Sequence, residues 1–338
     1  MIHGTSASVE SVSWQSLLAG SLTDPQQLLT RLNLNPALLE GARAASADFP
    51  LRVPEPYLSR IQPGDPNDPL LRQVLPLGEE LQEHPGFVMD PLGEQHSNAR
   101  PGIIHKYHGR LLLIVSGGCA VNCRYCFRRH FPYGDNNLST SQWQQALDYI
   151  RADQSIREVI YSGGDPLAAP DQRLAWLTRE IAEIPHVRRL RVHTRLPVVI
   201  PQRVTAELID ALCGTRLPVS MVLHCNHANE MDHELGQAIH RLKQAGILLL
   251  NQTVLLKGVN DNIEDLVSLS ETLGDHGVLP YYLHVLDHVK GAQHFHVNDR
   301  AASGLAAEML ARLPGFLVPR LVREVAGETS KTPLAFGP

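Results

Sequence analysis

The chain has 338 residues, 43% hydrophobic and 19% charged, with a formal net charge of −5. That balance excludes a polybasic face for nucleic acid or an anionic membrane, and no apolar run approaches the ~20 residues of a membrane span. Residues 1–20 lack the basic start and apolar core of a secretory leader, so a cytoplasmic location is expected, where thiols stay reduced.

Residues 11–45 predict short helices: Asp24-Pro25 supplies a cap and first turn before Gln26–Leu32, and Asn35-Pro36 opens another before Gly41. Between 50 and 104 proline and acidic residues accumulate, as in Pro63-Gly64-Asp65-Pro66 and Asp90-Pro91-Leu92-Gly93, predicting turns and an irregular connection. Residues 1–104 therefore read as a helical and wrapping segment, and 105–338 as the main domain. From about 108, strands alternate with amphipathic helices. The expected strands are Leu111–Ser116, Glu158–Ser162, Arg189–His193, Val219–His224, Ile247–Val254 and Val278–His284. The expected helices are Ser141–Ala152, Asp171–Ile184, Thr205–Cys213, Glu230–Ala245, Asn262–His276 and Asp299–Leu313, with Ser139 or Thr140 as a cap and Gly246 and Gly277 as stops. Six consecutive βα units predict an α/β fold, a partial (β/α)6 barrel of the TIM type with an N-terminal helical appendage. Sites in parallel barrels form on loops after the C-terminal ends of strands. The residues falling there are polar: three cysteines after the first strand, Gly163-Gly164-Asp165 after the second, Thr194-Arg195 after the third, His224, Gln252 and Asp287 beyond.

Three of the five cysteines form Cys119-x3-Cys123-x2-Cys126. An odd total and crowding into one loop argue against a disulfide. Three thiolates over eight residues suit one soft metal centre: an iron–sulfur cluster with one iron left open, or a structural zinc completed by His130. Cys213 and Cys225 read as buried free thiols, and His284, His288, His294 and His296 fit no trusted zinc spacing.

The cysteine spacing with the later Gly-Gly-Asp resembles the radical S-adenosylmethionine superfamily. HKYHGR at 105–110, CRYCFRRHF at 123–131, YSGGDPL at 161–167, NHANE at 226–230, NQTVLLKGVND at 251–261, PYYLHVLD at 280–287 and SKTP at 330–333 narrow the likeness to the lysine 2,3-aminomutase family. RRHFPY at 128–133, LHVLD at 283–287 and the stop soon after Lys331-Thr332-Pro333 resemble its short bacterial members, which make β-lysine for modification of elongation factor P.

The resemblance implies an isomerase that shifts the amino group of L-lysine, using a [4Fe–4S] cluster on Cys119, Cys123 and Cys126, S-adenosylmethionine on its open iron, and pyridoxal phosphate attached to Lys331. Arg128 matches the arginine that grips the substrate carboxylate, for which a guanidinium fork is suited; Arg129 is expected to be structural or to face a cofactor. Asp287 and Glu324 match the acids that hold the ε-ammonium, with glutamate at 324 where longer clostridial-type enzymes carry aspartate. Lys106, Tyr107 and Arg110 match a phosphate-binding segment in which arginine is usual at the position of Lys106. Gly163, Gly164, Asp165, Thr194, Arg195, His224 and Gln252 are expected to bind S-adenosylmethionine or the pyridoxal ring. A flavodoxin- or ferredoxin-type reductant, a functional link to elongation factor P and its lysyl-ligase, and a homo-oligomer are the expected partners. The zinc-binding tail of the longer relatives is expected to be absent. Rival readings are an aminomutase for glutamate or for a lysine metabolite pathway, a non-catalytic cluster-binding protein and a zinc module. Paired acids would repel the side-chain carboxylate of glutamate.

Overall fold

The computed structural model describes residues 12–136 and 138–335. Most of the stretch tested for a leader, Ser11 and the terminus at Pro338 lie outside the described residues. One nine-stranded sheet runs in chain order: β1 (Ile103–Tyr107), β2 (Arg110–Ser116), β3 (Glu158–Gly163), β4 (Arg189–Thr194), β5 (Val219–His224), β6 (Leu248–Leu255), β7 (Leu279–Val285), β8 (Arg320–Arg323) and β9 (Thr332–Pro333). Strands β2 to β8 pair in parallel, while β1 and β9 are antiparallel at the two edges. The sheet is open, and a helix follows each strand from β2 to β7, at 140–152, 171–182, 206–213, 233–244, 263–275 and 299–312. This is the partial barrel expected from the sequence, enlarged by a seventh parallel strand, β8.

Local chemistry sets the element ends. Ser139 caps the first of these helices reciprocally: its Oγ accepts from Gln142 N, and Gln142 Oε1 accepts from Ser139 N at 2.9 Å. The helix expected from Glu230 starts at His233 instead, because Asp232 accepts from Leu235 N at 2.7 Å and so forms the N-cap. Residues 228–230 make a separate 3₁₀ turn. Gly246 and Gly277 follow the ends of helices 233–244 and 263–275 with φ of +78° and +73°, where a side chain would be strained. The hairpin β8–β9 escaped the sequence reading because four and two residues are too short to show a period.

Inward apolar residues of the sheet, including Leu113, Val159, Leu190 and Met221, share one continuous core with Leu28, Leu51, Tyr57 and Leu70 from the N-terminal segment. A buried ionic latch fastens that segment to the cysteine loop. Glu80, 3% exposed, accepts from Nε and Nη2 of Arg124 (2.8 and 2.6 Å) and from Nη2 of Arg129 (2.9 Å). Arg124 also donates to the Phe49 carbonyl (2.8 Å) and Arg129 to that of Gly291 (3.0 Å). Arg129 is thus consumed by structure. Removing one partner strands buried charge, so Glu80→Gln is expected to cost about 3–5 kcal/mol, read from the midpoint of denaturant unfolding. A shift below about 1 kcal/mol would show that the latch contributes little.

Candidate active site

The cysteine loop is shaped by the crossing of two backbones. After β2, Ser116 O accepts from Gly164 N (2.9 Å) and Gly118 O from Asp165 N (2.8 Å), so the loops after β2 and β3 lie in contact. Only glycine permits this. A Cβ on Gly163, whose φ is +130°, would stand 2.2 Å from Ser116 O, and one on Gly164 would meet Gly117 O at 2.7 Å and Cys119 Sγ at 2.9 Å. Gly163 and Gly164 therefore form the floor beside the first cysteine. Asp165 is spent as a buckle: Oδ1 accepts from Leu167 N (3.0 Å) and Thr194 Oγ1 (2.7 Å), and Oδ2 from the amides of Arg195 (2.7 Å) and Leu196 (2.9 Å). Burial pushes its carboxyl up despite these four bonds.

Cys119, Cys123 and Cys126 line one cavity together with Arg128, Ser162, Gly163, Gly164, Thr194, Arg195, His224, Gln252 and Asp287. All five cysteines are free; Cys225 is buried as expected, whereas Cys213, at the end of helix 206–213, is partly exposed. Burial raises the thiol pKa of Cys119, and that of Cys126 to about 11, with the neighbouring thiols adding to both. Among the described residues no three His, Cys, Asp or Glu side chains come close enough to hold a single metal ion. Cys119, Cys123 and Cys126 share one cavity wall, and thiolates are the donors that iron–sulfur clusters take. Arg195 Nη1 donates to Cys123 Sγ (2.9 Å), and its Nη2 to Gln73 Oε1 (2.7 Å) and Glu230 Oε2 (2.9 Å). Gln252 and His224 are 2.9 Å apart, and burial pushes His224 down to about 3, keeping it neutral.

The far side of the site is built by the β8–β9 hairpin. Arg323 pairs with Thr332 and Val322 with Pro333, which brings Glu324 at the C-terminal end of β8 against Lys331 just before β9. Lys331 Nζ donates to Glu324 Oε2 (2.6 Å) and Lys106 Nζ to Glu324 Oε1 (3.2 Å). Burial opposes ionisation of Glu324, but the two ammonium groups prevail and hold its pKa far below the usual carboxylate range. Asp287 has the opposite fate: burial, reinforced by the Glu324 charge, pushes it up to about 7. Tyr107 is raised by burial and by Glu324. Arg110 lies at the opposite end of β2 from the cysteines, its guanidinium 4.6 Å from the Tyr107 ring centroid, and lines a separate cleft with His108, Arg157 and Glu158.

Sequence reasoning passed over Glu94. Its carboxylate pairs with Arg128 and lies 3.3 Å from Lys106. It stands in the irregular 50–104 stretch, where no period or motif sets one glutamate apart. Ser162 and Tyr133 were also missed. Ser162 Oγ accepts from Arg128 (3.1 Å), and Tyr133 Oη donates to Gly163 O (2.9 Å).

Comparison with known proteins agrees with this arrangement. Residues 113–270 match the radical SAM superfamily model. The chain is 52% identical over 323 residues to a protein of Escherichia coli (strain K12) named L-lysine 2,3-aminomutase, covering 95% of this chain and 94% of that one. A protein of the same name from Haemophilus influenzae is 50% identical, with 96% of each chain covered. One from Clostridium subterminale is 34% identical over 95% of this chain and 77% of its own length. A three-cysteine loop, a glycine floor and a lysine–glutamate hairpin around one parallel-barrel mouth, together with identity over nearly the whole length, make this chain a member of the L-lysine 2,3-aminomutase family within the radical SAM superfamily.

Proposed function

We propose that the protein isomerises L-lysine to β-lysine, as the R enantiomer, and that the product serves post-translational modification of elongation factor P. The observation that carries the reading is the facing of charges at one mouth: a cation suited to a carboxylate, Arg128, and two acids suited to an ammonium, Asp287 and Glu324, beside the cysteine triad. Identity to relatives named L-lysine 2,3-aminomutase supports the substrate, and the likeness of RRHFPY at 128–133 and LHVLD at 283–287 to the short bacterial members supports the pathway.

Cys119, Cys123 and Cys126 would hold a [4Fe–4S] cluster, with S-adenosylmethionine over the floor of Gly163 and Gly164. Lys331 offers a primary amine for the aldehyde of pyridoxal phosphate, and Lys106 and Tyr107 offer donors for its phosphate. Bound together, these groups supply the radical chemistry of a 1,2-amino shift. The chain's own work is positional. Arg128 orients the substrate carboxylate, and Asp287 and Glu324 fix the opposite end of the molecule, so that Cβ is held in one place while the barrel excludes water. Thr194, Arg195, His224 and Gln252 complete the wall around the cofactors. Arg110, in its separate cleft with its guanidinium against the Tyr107 ring, is left out of the phosphate site. We further propose a cytoplasmic setting, a flavodoxin- or ferredoxin-type reductant, a homo-oligomeric assembly and a division into 1–104 and 105–338. Among the described residues no helix is long and apolar enough to cross a membrane.

Anaerobic incubation with L-lysine, S-adenosylmethionine, pyridoxal phosphate and a chemical reductant is expected to give (R)-β-lysine by chiral chromatography. Turnover of a different amino acid in place of lysine would overturn the substrate, and the S product would overturn the stereochemistry.

A further inference from the structure

We infer that Glu94 is a positioning residue for substrate recognition: it fixes the Arg128 guanidinium, whose remaining donor receives the substrate carboxylate. This rests on the aminomutase reading above. Arg128 Nε donates to Glu94 Oε2 (2.6 Å) and Nη2 to Glu94 Oε1 (2.8 Å), a bidentate pair whose side chains are only 8% and 6% exposed. Arg128 Nη1 donates to Ser162 Oγ (3.1 Å) and Gly163 O (3.2 Å), so the guanidinium is held along two edges.

Arg128 lines the cavity, and Glu94 is not among the residues that do. Nε, Nη1 and one Nη2 hydrogen are engaged by Glu94, Ser162 and Gly163, which leaves the second Nη2 hydrogen for a substrate carboxylate. The position of Glu94 is fixed in turn. Gly93 has a φ of +60° and lies against Ala326, Glu94 N donates to Asp90 Oδ1 (3.0 Å), and Lys106 Nζ stands 3.3 Å from Glu94 Oε1. Lys106 also bonds Glu324, so alternating charges run from Arg128 through Glu94 and Lys106 to Glu324. That chain connects the group for the substrate carboxylate to a group for its ammonium, and its length is set by the fold.

The mutual attraction keeps Glu94 ionised: burial would raise its pKa, but Arg128 above all and Lys106 lower it. A neutral glutamine at 94 keeps the shape and loses the bidentate charge-assisted hold. Arg128 then gains rotamer freedom that substrate binding must remove.

The test measures equilibrium binding of L-lysine and of 1,5-diaminopentane, which lacks the carboxylate, to holoenzyme. Glu94→Gln is expected to weaken L-lysine roughly 10- to 100-fold while changing the diamine less than about threefold. Glu94→Asp is expected to restore part of the L-lysine affinity. In Arg128→Ala, adding Glu94→Gln is expected to cost no further L-lysine affinity, since the glutamate acts through the arginine. Equal losses for both ligands, or additive losses in the double variant, would overturn the positioning role. Wild-type holoenzyme that neither binds nor turns over L-lysine would instead overturn the proposed function, which separates the two failures.

Discussion

Cys126→Ser is expected to leave a folded chain that takes up almost no iron during anaerobic reconstitution, loses the brown absorbance and turns over at least about a thousandfold more slowly, because the cofactors carry the chemistry. The triad has no spare ligand. Cys126 is held by the turn in which its amide donates to Cys123 O (3.0 Å), and the fold around it depends on the Arg124–Glu80–Arg129 latch rather than on the thiol. Cys213→Ser, outside the cavity, is expected to keep the full iron content and rate. Iron loading by Cys126→Ser equal to that of the wild type would show that the cluster sits elsewhere.

The second large effect concerns the two acids, whose responses are expected to have opposite signs. Glu324 is held ionised by Lys331 and Lys106, so it stabilises the fold above its unfolded value of about 4, and the contribution is lost as pH falls through the depressed native value. Glu324→Gln leaves Lys331 without its carboxylate and Lys106 with Glu94 alone, and is expected to lower both stability and L-lysine affinity, the latter about a hundredfold. Asp287 is raised to about 7. Between about 4 and 7 the native chain holds a proton that the unfolded chain has released, so stability falls as pH rises across that window. Asp287→Asn removes this fall and is expected to stabilise the protein at pH 8 while weakening substrate binding. An incoming ammonium favours the charged form, so L-lysine binding at pH 6 is expected to release up to one proton and at pH 8.5 almost none. Calorimetry in two buffers of different ionisation enthalpy reads that difference. Release that persists in Asp287→Asn would assign the proton to another group.

The six βα units and the grouping of three cysteines were legible in the linear chain. Strands and helices of six or more residues carry their own period, and a cap such as Ser139 acts within three residues, so local chemistry sufficed. The helix drawn from Glu230 began too early because residues 228–230 form their own 3₁₀ turn and Asp232 is the N-cap. Cys119, Cys123 and Cys126 were legible as one group for the same reason: they lie within eight residues of one another. Tertiary structure alone decided how Glu324 and Lys331 meet, since β8 and β9 are too short to signal a hairpin and gain their pairing from β7. It also decided that Asp165 and Arg129 are committed to holding loops, and that the carboxylate behind Arg128 is Glu94, 34 residues away in the chain. Partners so distant are chosen by burial and charge pairing across the barrel mouth, and a linear pattern does not encode that choice.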